Sequence, residues 1–279
     1  MKLVSIIPEN FKMDGGACFG VVPKSIWSKH VESDENNLVK FSSRCLLVDI
    51  DDRRILIDTG IGNKQSEKYY SYFHPFDRIG LEKALEREGY ALENITDVLL
   101  THLHFDHVGG ATRWANNGNI SEAVFPNATY YCSKAQWDTA NNPNPREKAS
   151  YFPENYLSLY EEGRLEFIYE NKAFCKGIDL ELKYGHTEGQ IIPLIKYEGK
   201  TLVFMADFIS SVMNIPLAYV PSFDVDPLKS MEEKKEFLER AYSNDYVLYF
   251  EHDYDNECCS LEKTEKGIRA KATFTLNDI

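Results

Sequence analysis

The sequence predicts an α/β fold in which two mixed sheets pack face to face with helices on their outer sides. Each half of the chain runs through β-prone segments before it reaches a helical one, and no stretch rich in proline, glycine or serine separates the halves. The chain has 279 residues, 43% of them hydrophobic, so it can bury a sizeable core. We therefore expect residues 1–279 to form a single domain.

The first half combines β-prone runs, tight turns and one helical pattern. Its predicted elements are a strand over 39–50, a hairpin partner over 54–58 after a turn at Asp51-Asp52, a helix around Leu81, Ala84 and Leu85 that ends near Gly89, and a short strand over 97–101.

The second half repeats the order of strands and then helix. Its predicted elements are a strand over 128–132, helices around 133–162, strands over 165–169 and 178–184, a hairpin over 191–205 that turns at Glu198-Gly199, a helix carrying Leu228, Met231, Leu238 and Tyr242, and a last buried strand over 246–250. The loops 116–119 and 141–145 are rich in asparagine and proline, which makes residues 112–160 the candidate for a specificity lid.

Composition excludes several classes of partner. The chain has 31 basic and 44 acidic residues, and a formal charge of −13 repels nucleic acid and anionic lipid. No apolar run in the sequence approaches the length of about 18 residues that a membrane span needs. The first residues lack the apolar stretch of a signal peptide, and the six cysteines have no CxxC spacing, so we expect a cytoplasmic protein with free thiols.

The segment Thr101-His102-Leu103-His104-Phe105-Asp106-His107 places four metal-binding side chains within six residues. Side chains two residues apart at a strand end point the same way, so His102 and His104 can approach one metal ion. If the chain then turns, Asp106 and His107 face a second metal, and Gly109-Gly110 allow a sharp change of direction. The spacing predicts a metal site.

Three further candidate ligands follow β-prone or apolar runs later in the chain. They are His186 within Gly185-His186-Thr187, Asp207 after an apolar run, and His252 after the strand predicted at 246–250. Strand ends that meet at one edge of the fold would bring all seven side chains together.

These residues resemble the five ordered motifs of the metallo-β-lactamase superfamily, counting Leu56-Ile57-Asp58-Thr59-Gly60 as the first motif. The resemblance covers roughly residues 45–255 and implies a four-layer αβ/βα sandwich. It implies that His102, His104 and His186 bind one metal, that Asp106, His107 and His252 bind the other, and that Asp207 bridges them. It also implies that Asp58 supports the ligands from behind.

Such a site predicts hydrolysis by attack of a metal-bound hydroxide, with Asp106 or Asp207 accepting the proton. Two divalent metal ions are the expected cofactors. Nitrogen and oxygen ligands are compatible with zinc, manganese, iron or cobalt, and of these we expect zinc.

The segments 14–24 and 101–110 resemble those of N-acyl homoserine lactone lactonases, the quorum-quenching branch. We therefore expect a lactonase that opens N-acyl homoserine lactones or related lactones and forms a homodimer. Phosphotriesterases of the methyl parathion hydrolase type share the ligand set and are the alternative, as are other ester or thiolester hydrolases. The candidates for an acyl pocket are Phe19, Trp27, Tyr70 and Phe73, with core or dimer contacts as the competing interpretation.

Two positions depart from the lactonase pattern. Ser210 stands where some acyl homoserine lactonases carry a tyrosine that contacts the substrate carbonyl, and Tyr219 is the candidate replacement. Ala206 stands where glycine is common, and we expect little mechanistic effect from it. The alternative of a different class is a metal-binding protein without catalysis, which full retention of the ligand set disfavours.

Overall fold

A computed structural model describes residues 1–115, 118 and 120–279 of the chain. The chain divides into two compact units, one formed by Met1–Phe11 with Ser43–Glu170 and the other by Lys12–Ser42 with Asn171–Ile279. Each unit contains one large sheet, as the sequence predicted. Of the predicted loop 116–119, residues 116, 117 and 119 lie outside the described residues.

The described strands, in chain order, are β1 (Lys2–Ile6), β2 (Asn10–Asp14), β3 (Leu38–Ser42), β4 (Cys45–Ile50), β5 (Arg53–Ile57), β6 (Asp97–Leu99), β7 (Thr112–Trp114), β8 (Ser121–Ala123), β9 (Thr129–Ser133), β10 (Leu165–Ile168), β11 (Lys172–Cys175), β12 (Ile178–Lys183), β13 (Gln190–Tyr197), β14 (Lys200–Phe204), β15 (Val247–Tyr249), β16 (Cys258–Thr264) and β17 (Gly267–Phe274).

The described α-helices are α1 (Gly15–Phe19), α2 (Lys24–Trp27), α3 (Glu67–Tyr70), α4 (Leu81–Arg87), α5 (Phe105–Val108), α6 (Lys134–Asn141), α7 (Leu157–Glu161) and α8 (Pro227–Ser243). Short 3₁₀ helices cover Leu92–Asn94, Lys148–Ser150, Pro153–Asn155, Val212–Asn214 and Leu276–Asp278.

The sheet of the first unit is mixed and has the order β1-β4-β5-β6-β9-β10. Strands β1, β4 and β5 pair antiparallel, and the pairs from β5 to β10 are parallel. One face packs against α4, because alternate residues such as Leu47 and Leu56 share a buried cluster with Leu81 and Leu85. The residues between them are buried as well, which explains why these strands are apolar without interruption.

The strand predicted over 39–50 is two strands. β4 forms the predicted hairpin with β5, in which Ile50 pairs with Arg53. β3 instead pairs with β2 in a separate two-stranded sheet. The chain leaves one sheet for the other at Ser43, whose backbone amide donates a 3.2 Å hydrogen bond to the carbonyl of Glu9. The sequence hides this change because buried apolar residues occur in both strands, Val39 and Phe41 in β3 and Leu46 to Val48 in β4.

The sheet of the second unit has the order β11-β12-β13-β14-β15-β16-β17, with only the β14–β15 pair parallel among its described strands. Helix α8 begins where the Asp226 side chain caps the amide of Lys229 at 2.9 Å. It buries Phe237, whose ring centroid lies 5.3 Å from that of Phe208.

The prediction that the strand at 246–250 is the last one is wrong, because β16 and β17 follow it. Their charged residues dilute the apolar signal.

The remaining predictions on organisation are partly tested. The helices predicted around 133–162 are confirmed as α6 and α7. All six cysteines are free, as predicted. Among the described residues, no helix combines the length and apolar character that crossing a membrane requires. The single-domain prediction stays a prediction.

Candidate functional site

The four candidate ligands of the first unit lie between β6 and the end of α5. Because β6 ends at Leu99 and α5 begins at Phe105, His102 and His104 lie in the connecting loop and not at a strand end. The prediction that strand alternation aligns them is therefore wrong. His104 is the residue before α5, and Asp106 and His107 lie within that helix. All four side chains are buried.

The loop still brings these side chains together. The ring centroids of His102 and His104 lie 4.6 Å apart, and those of His102 and His107 lie 3.9 Å apart. The ligand atoms of His102 and His104 lie within 4.8 Å of each other, as do those of Asp106 and His107. The candidate ligands predicted from spacing in this unit are thus close neighbours.

Close backbone packing fixes this loop against the segment that follows β5. A Cβ atom on Gly109 would lie 1.9 Å from the carbonyl oxygen of Ile61, and one on Gly110 would lie 2.2 Å from that of Thr59. Gly109 has a helical φ of −60°. Gly109 and Gly110 are thus required for close approach, not for the sharp turn that the sequence suggested.

Asp58 supports two of the histidines. Its Oδ2 atom lies 3.0 Å from His107 Nδ1 and accepts a 2.6 Å hydrogen bond from the Thr101 hydroxyl. Since the hydroxyl hydrogen points to Asp58, Thr101 Oγ1 accepts from His102 Nδ1, which lies 3.1 Å away. Both rings therefore present Nε2 as the atom with a lone pair. This placement agrees with the supporting role that the resemblance implies for Asp58.

The second unit holds the other three candidate ligands, each in a segment that follows a strand. His186 comes after β12, Asp207 after β14, and His252 after β15, and all three are buried. His186 Nε2 lies 3.2 Å from Asp207 Oδ2, and His252 Nε2 lies 3.2 Å from Asp207 Oδ1. Each oxygen of Asp207 thus has an imidazole nitrogen beside it.

Outer contacts fix the orientation of both rings. His186 Nδ1 lies 3.0 Å from Asp224 Oδ1, and His252 Nδ1 lies 2.9 Å from the carbonyl oxygen of Ser42. Each Nδ1 therefore donates outward, and each Nε2 faces Asp207. Burial lowers the pKa of His186, but the nearby carboxylates of Asp207 and Asp224 outweigh it and raise the pKa to about 10. The same negative charge favours a cation at this place.

The donor set suits a divalent transition-metal ion. Imidazole nitrogen and carboxylate oxygen are the ligands of catalytic zinc and of related metals. Carboxylates behind the rings are typical of metal-binding histidines. The residues present in each unit therefore fit the metal ions that the resemblance implies.

Sequence reasoning missed the outer partners. Asp224 lies in the loop before α8, and its Oδ2 accepts a 2.5 Å hydrogen bond from the Ser230 hydroxyl. The Oε2 atom of Glu147 lies 3.3 Å from the Nε2 atom of His104. Neither residue belongs to a spaced motif, so no signal in the sequence marks it.

A cavity of about 350 Å³ in the second unit includes His252 in its lining. Its apolar wall contains Phe19, Met213 and Pro216, and Tyr219 adds a polar group. Phe19 is one of the lining residues but is only 2% exposed and also belongs to the buried core, so its role in an acyl pocket stays a prediction. Trp27, whose ring centroid lies 5.0 Å from that of Phe19, is 1% exposed and belongs to the core.

The chain matches the sequence model of the metallo-β-lactamase superfamily over residues 38–252. It belongs to this superfamily. The match contains the His-rich segment, Asp58, His186, Asp207 and His252.

Known relatives in the superfamily agree with this assignment. An N-acyl homoserine lactonase from Bacillus cereus is 25% identical over 234 residues, which cover 79% of this chain and 85% of the lactonase. The crystal structure of a probable metal-dependent hydrolase from Staphylococcus aureus superposes with a TM-score of 0.89 at 29% identity, covering 98% of this chain and 96% of that one. The chain is thus a metal-dependent hydrolase of the superfamily.

A dizinc quorum-quenching lactonase, AidC, solved with the product of its reaction, has the same fold. Its TM-score is 0.80 at 23% identity, and the match covers 99% of this chain and 95% of AidC. At this identity the likeness concerns the fold, which is the metallo-β-lactamase fold that the sequence predicted.

Ala206 carries backbone strain next to Asp207. Its φ is +43°, in the left-handed region, and its side chain is fully buried. In this conformation a residue with a Cβ atom destabilises the folded state by about 1–2 kcal/mol. Glycine avoids this strain, but it destabilises the folded state by about 0.5–1 kcal/mol because it loses more chain entropy on folding. Ala206 therefore bears on stability, and the expectation that it has little mechanistic effect stays a prediction.

We expect Ala206→Gly to raise the free energy of unfolding by about 0.5–1 kcal/mol, because relief of strain exceeds the entropy cost. Urea unfolding of the metal-free protein measures the change. Ala241→Gly, at a buried position within α8, is the matched control and should lower stability by at least about 1 kcal/mol. Equal losses in both variants would contradict the strain argument.

Proposed function

We propose that the chain is a dinuclear metal-dependent lactonase. His102, His104 and His186 are the proposed ligands of one ion, and Asp106, His107 and His252 those of the other, with Asp207 shared. The main support for the proposal is the environment of Asp207, because each oxygen of its carboxylate lies 3.2 Å from an oriented imidazole nitrogen. A bridging carboxylate requires this two-sided arrangement.

Charge supports two ions. The candidate histidines contact five buried carboxyl groups, those of Asp58, Asp106, Glu147, Asp207 and Asp224. Buried negative charge is costly unless positive charge compensates it. Two divalent cations offset most of this charge. They exceed the charge of the two carboxylates proposed as direct ligands, Asp106 and Asp207, and this local surplus of positive charge favours a developing negative charge on the substrate.

When bound, the two ions lower the pKa of water and polarise the substrate carbonyl. The protein orients their ligands through Asp58 and Asp224, which act from behind the rings. Asp106 and Asp207 are the carboxylates proposed to accept the proton from water and pass it to the departing alkoxide oxygen.

The cavity beside His252 supports a substrate with an apolar chain. Phe19, Met213 and Pro216 offer apolar surface, and Tyr219 is the proposed contact for the substrate carbonyl in place of Ser210. N-acyl homoserine lactones combine an ester carbonyl with such a chain, and the curated relatives are named for this substrate. We therefore propose N-acyl homoserine lactones or related lactones as the substrate class, quorum quenching as the role, and zinc as the native metal. Cytoplasmic location, a homodimer, and the absence of nucleic-acid and membrane partners stay predictions.

The first test is a panel of substrates with the metal-reconstituted protein. It contains N-acyl homoserine lactones of several chain lengths, a plain γ-lactone, a phosphotriester and a thiolester. We expect the acyl homoserine lactones to give the highest kcat/KM, and we expect a chelator to abolish turnover until zinc, manganese or cobalt is restored. Preference for the phosphotriester would replace the lactonase proposal with its alternative, and silence on every substrate would refute both.

Asp207→Asn tests the shared ligand. Replacing the charged carboxylate with a neutral amide should reduce occupancy at both ions and nearly abolish turnover. Metal analysis and steady-state kinetics measure the two effects. Asp179→Asn is the control in the same unit, since the Asp179 side chain is 53% exposed and pairs only loosely with Lys196 at 4.0 Å. Full activity in Asp207→Asn would contradict the two-metal proposal.

A further inference from the structure

The five candidate histidines are not all held through the same ring nitrogen. Nδ1 makes the outer contact in four of them, His102, His107, His186 and His252. In His104 the outer contact is at Nε2, which lies 3.3 Å from Glu147 Oε2. His104 is therefore held in the reverse sense, with Nε2 and not Nδ1 beside its carboxylate partner.

The Glu147 carboxylate is itself fixed in place. The residue is 4% exposed. Asn144 Nδ2 donates a 2.6 Å hydrogen bond to Oε1, and the Tyr151 hydroxyl lies 2.9 Å from Oε2. Both oxygens of the carboxylate thus have donors beside them, and Oε2 remains directed at His104. A side chain held at both oxygens cannot adopt another rotamer without losing these contacts.

A second contact ties the same region to the histidine loop. Gln136 Oε1 accepts a 3.1 Å hydrogen bond from the backbone amide of Leu103, and the Tyr151 hydroxyl lies 3.0 Å from the same oxygen. The Gln136 side chain is fully buried. Residues 136–151 therefore reach the loop at the backbone of Leu103 and at the ring of His104. This part of the predicted lid is a support for the loop.

We propose that Glu147 is a positioning residue that accepts the Nε2 proton of His104, fixes its tautomer and directs Nδ1 to a metal ion. The inference deepens the proposed function and rests on its ligand set. Neutral imidazole carries its proton on either nitrogen, and a carboxylate at one nitrogen selects the tautomer with the lone pair on the other. It also makes the ligand atom more basic.

The role predicts an effect on one metal ion, because Glu147 contacts a ligand of only one proposed site. Loss of an outer partner of this kind lowers metal affinity by about 10–100-fold. If Glu147 had a purely structural role, its substitution would instead lower the stability of the metal-free protein, or lower the affinity for both ions equally. Stepwise metal titration separates these possibilities.

The experiment titrates metal-free protein with Co²⁺ in competition with a chelator and records the visible spectrum at each step. We expect Glu147→Gln to lower the affinity of one ion about 10-fold and Glu147→Ala about 100-fold, with a changed spectrum for that ion. The other ion should keep its affinity within about 2-fold. Glu161→Gln, at an exposed position in α7 of the same unit, is the matched control and should change neither ion.

Tyr151→Phe keeps the test independent of folding defects at Glu147. It retains the carboxylate and removes one of its donors, so we expect a smaller loss at the same ion. Thermal unfolding of each metal-free variant identifies any that fails to fold. Unchanged affinity for both ions in folded Glu147→Gln, or equal losses at both ions, would overturn the inference. Because the measurement needs no substrate, a wild-type protein that binds two ions and hydrolyses no lactone would refute the proposed function alone.

Discussion

The hydrogen bond between a buried carboxyl group and an imidazole ring is the interaction on which the site depends. It occurs at His107 with Asp58, at His104 with Glu147 and at His186 with Asp224. Each contact selects a tautomer, and in the proposed ligand set the other nitrogen of the ring binds the metal ion. The same contacts concentrate negative charge in the interior. Without cations the burial of this charge is unfavourable, so the arrangement that orients the ligands also creates the demand for metal.

This arrangement requires backbone strain and close backbone packing at a few positions. Asp58 adopts a φ of +59° and Ala206 a φ of +43°, both in the left-handed region. Gly109 and Gly110 approach backbone carbonyls that leave no space for a Cβ atom. Strain of this kind persists where the surrounding structure holds it, and it is concentrated at functional sites. The strands position the segments that carry the candidate ligands, and the conformation of these segments sets the orientation of the side chains.

The sequence predicted the two sheets and the seven candidate ligands because both depend on local patterns. Apolar runs mark the strands, and close spacing marks four of the candidate ligands, His102, His104, Asp106 and His107. The other three, His186, Asp207 and His252, were found because each follows a β-prone or apolar run. Of the carboxylates behind the rings, Asp58 was expected from the resemblance, but the other two could not be predicted, since Asp224 lies 38 residues from His186 and Glu147 lies 43 residues from His104. The break between β3 and β4 was hidden because both strands are apolar. The pair β16 and β17 was missed because alternating charges weaken the apolar signal of strands.

Anomalous diffraction from crystals of the zinc-loaded protein is the direct test of the proposed two-metal site. We expect two peaks at the zinc edge, about 3.5–4 Å apart, with one oxygen of Asp207 bound to each ion. We also expect His104 to bind through Nδ1 and the other four histidines to bind through Nε2. A single peak, or two peaks that Asp207 does not bridge, would refute a dinuclear site of this kind.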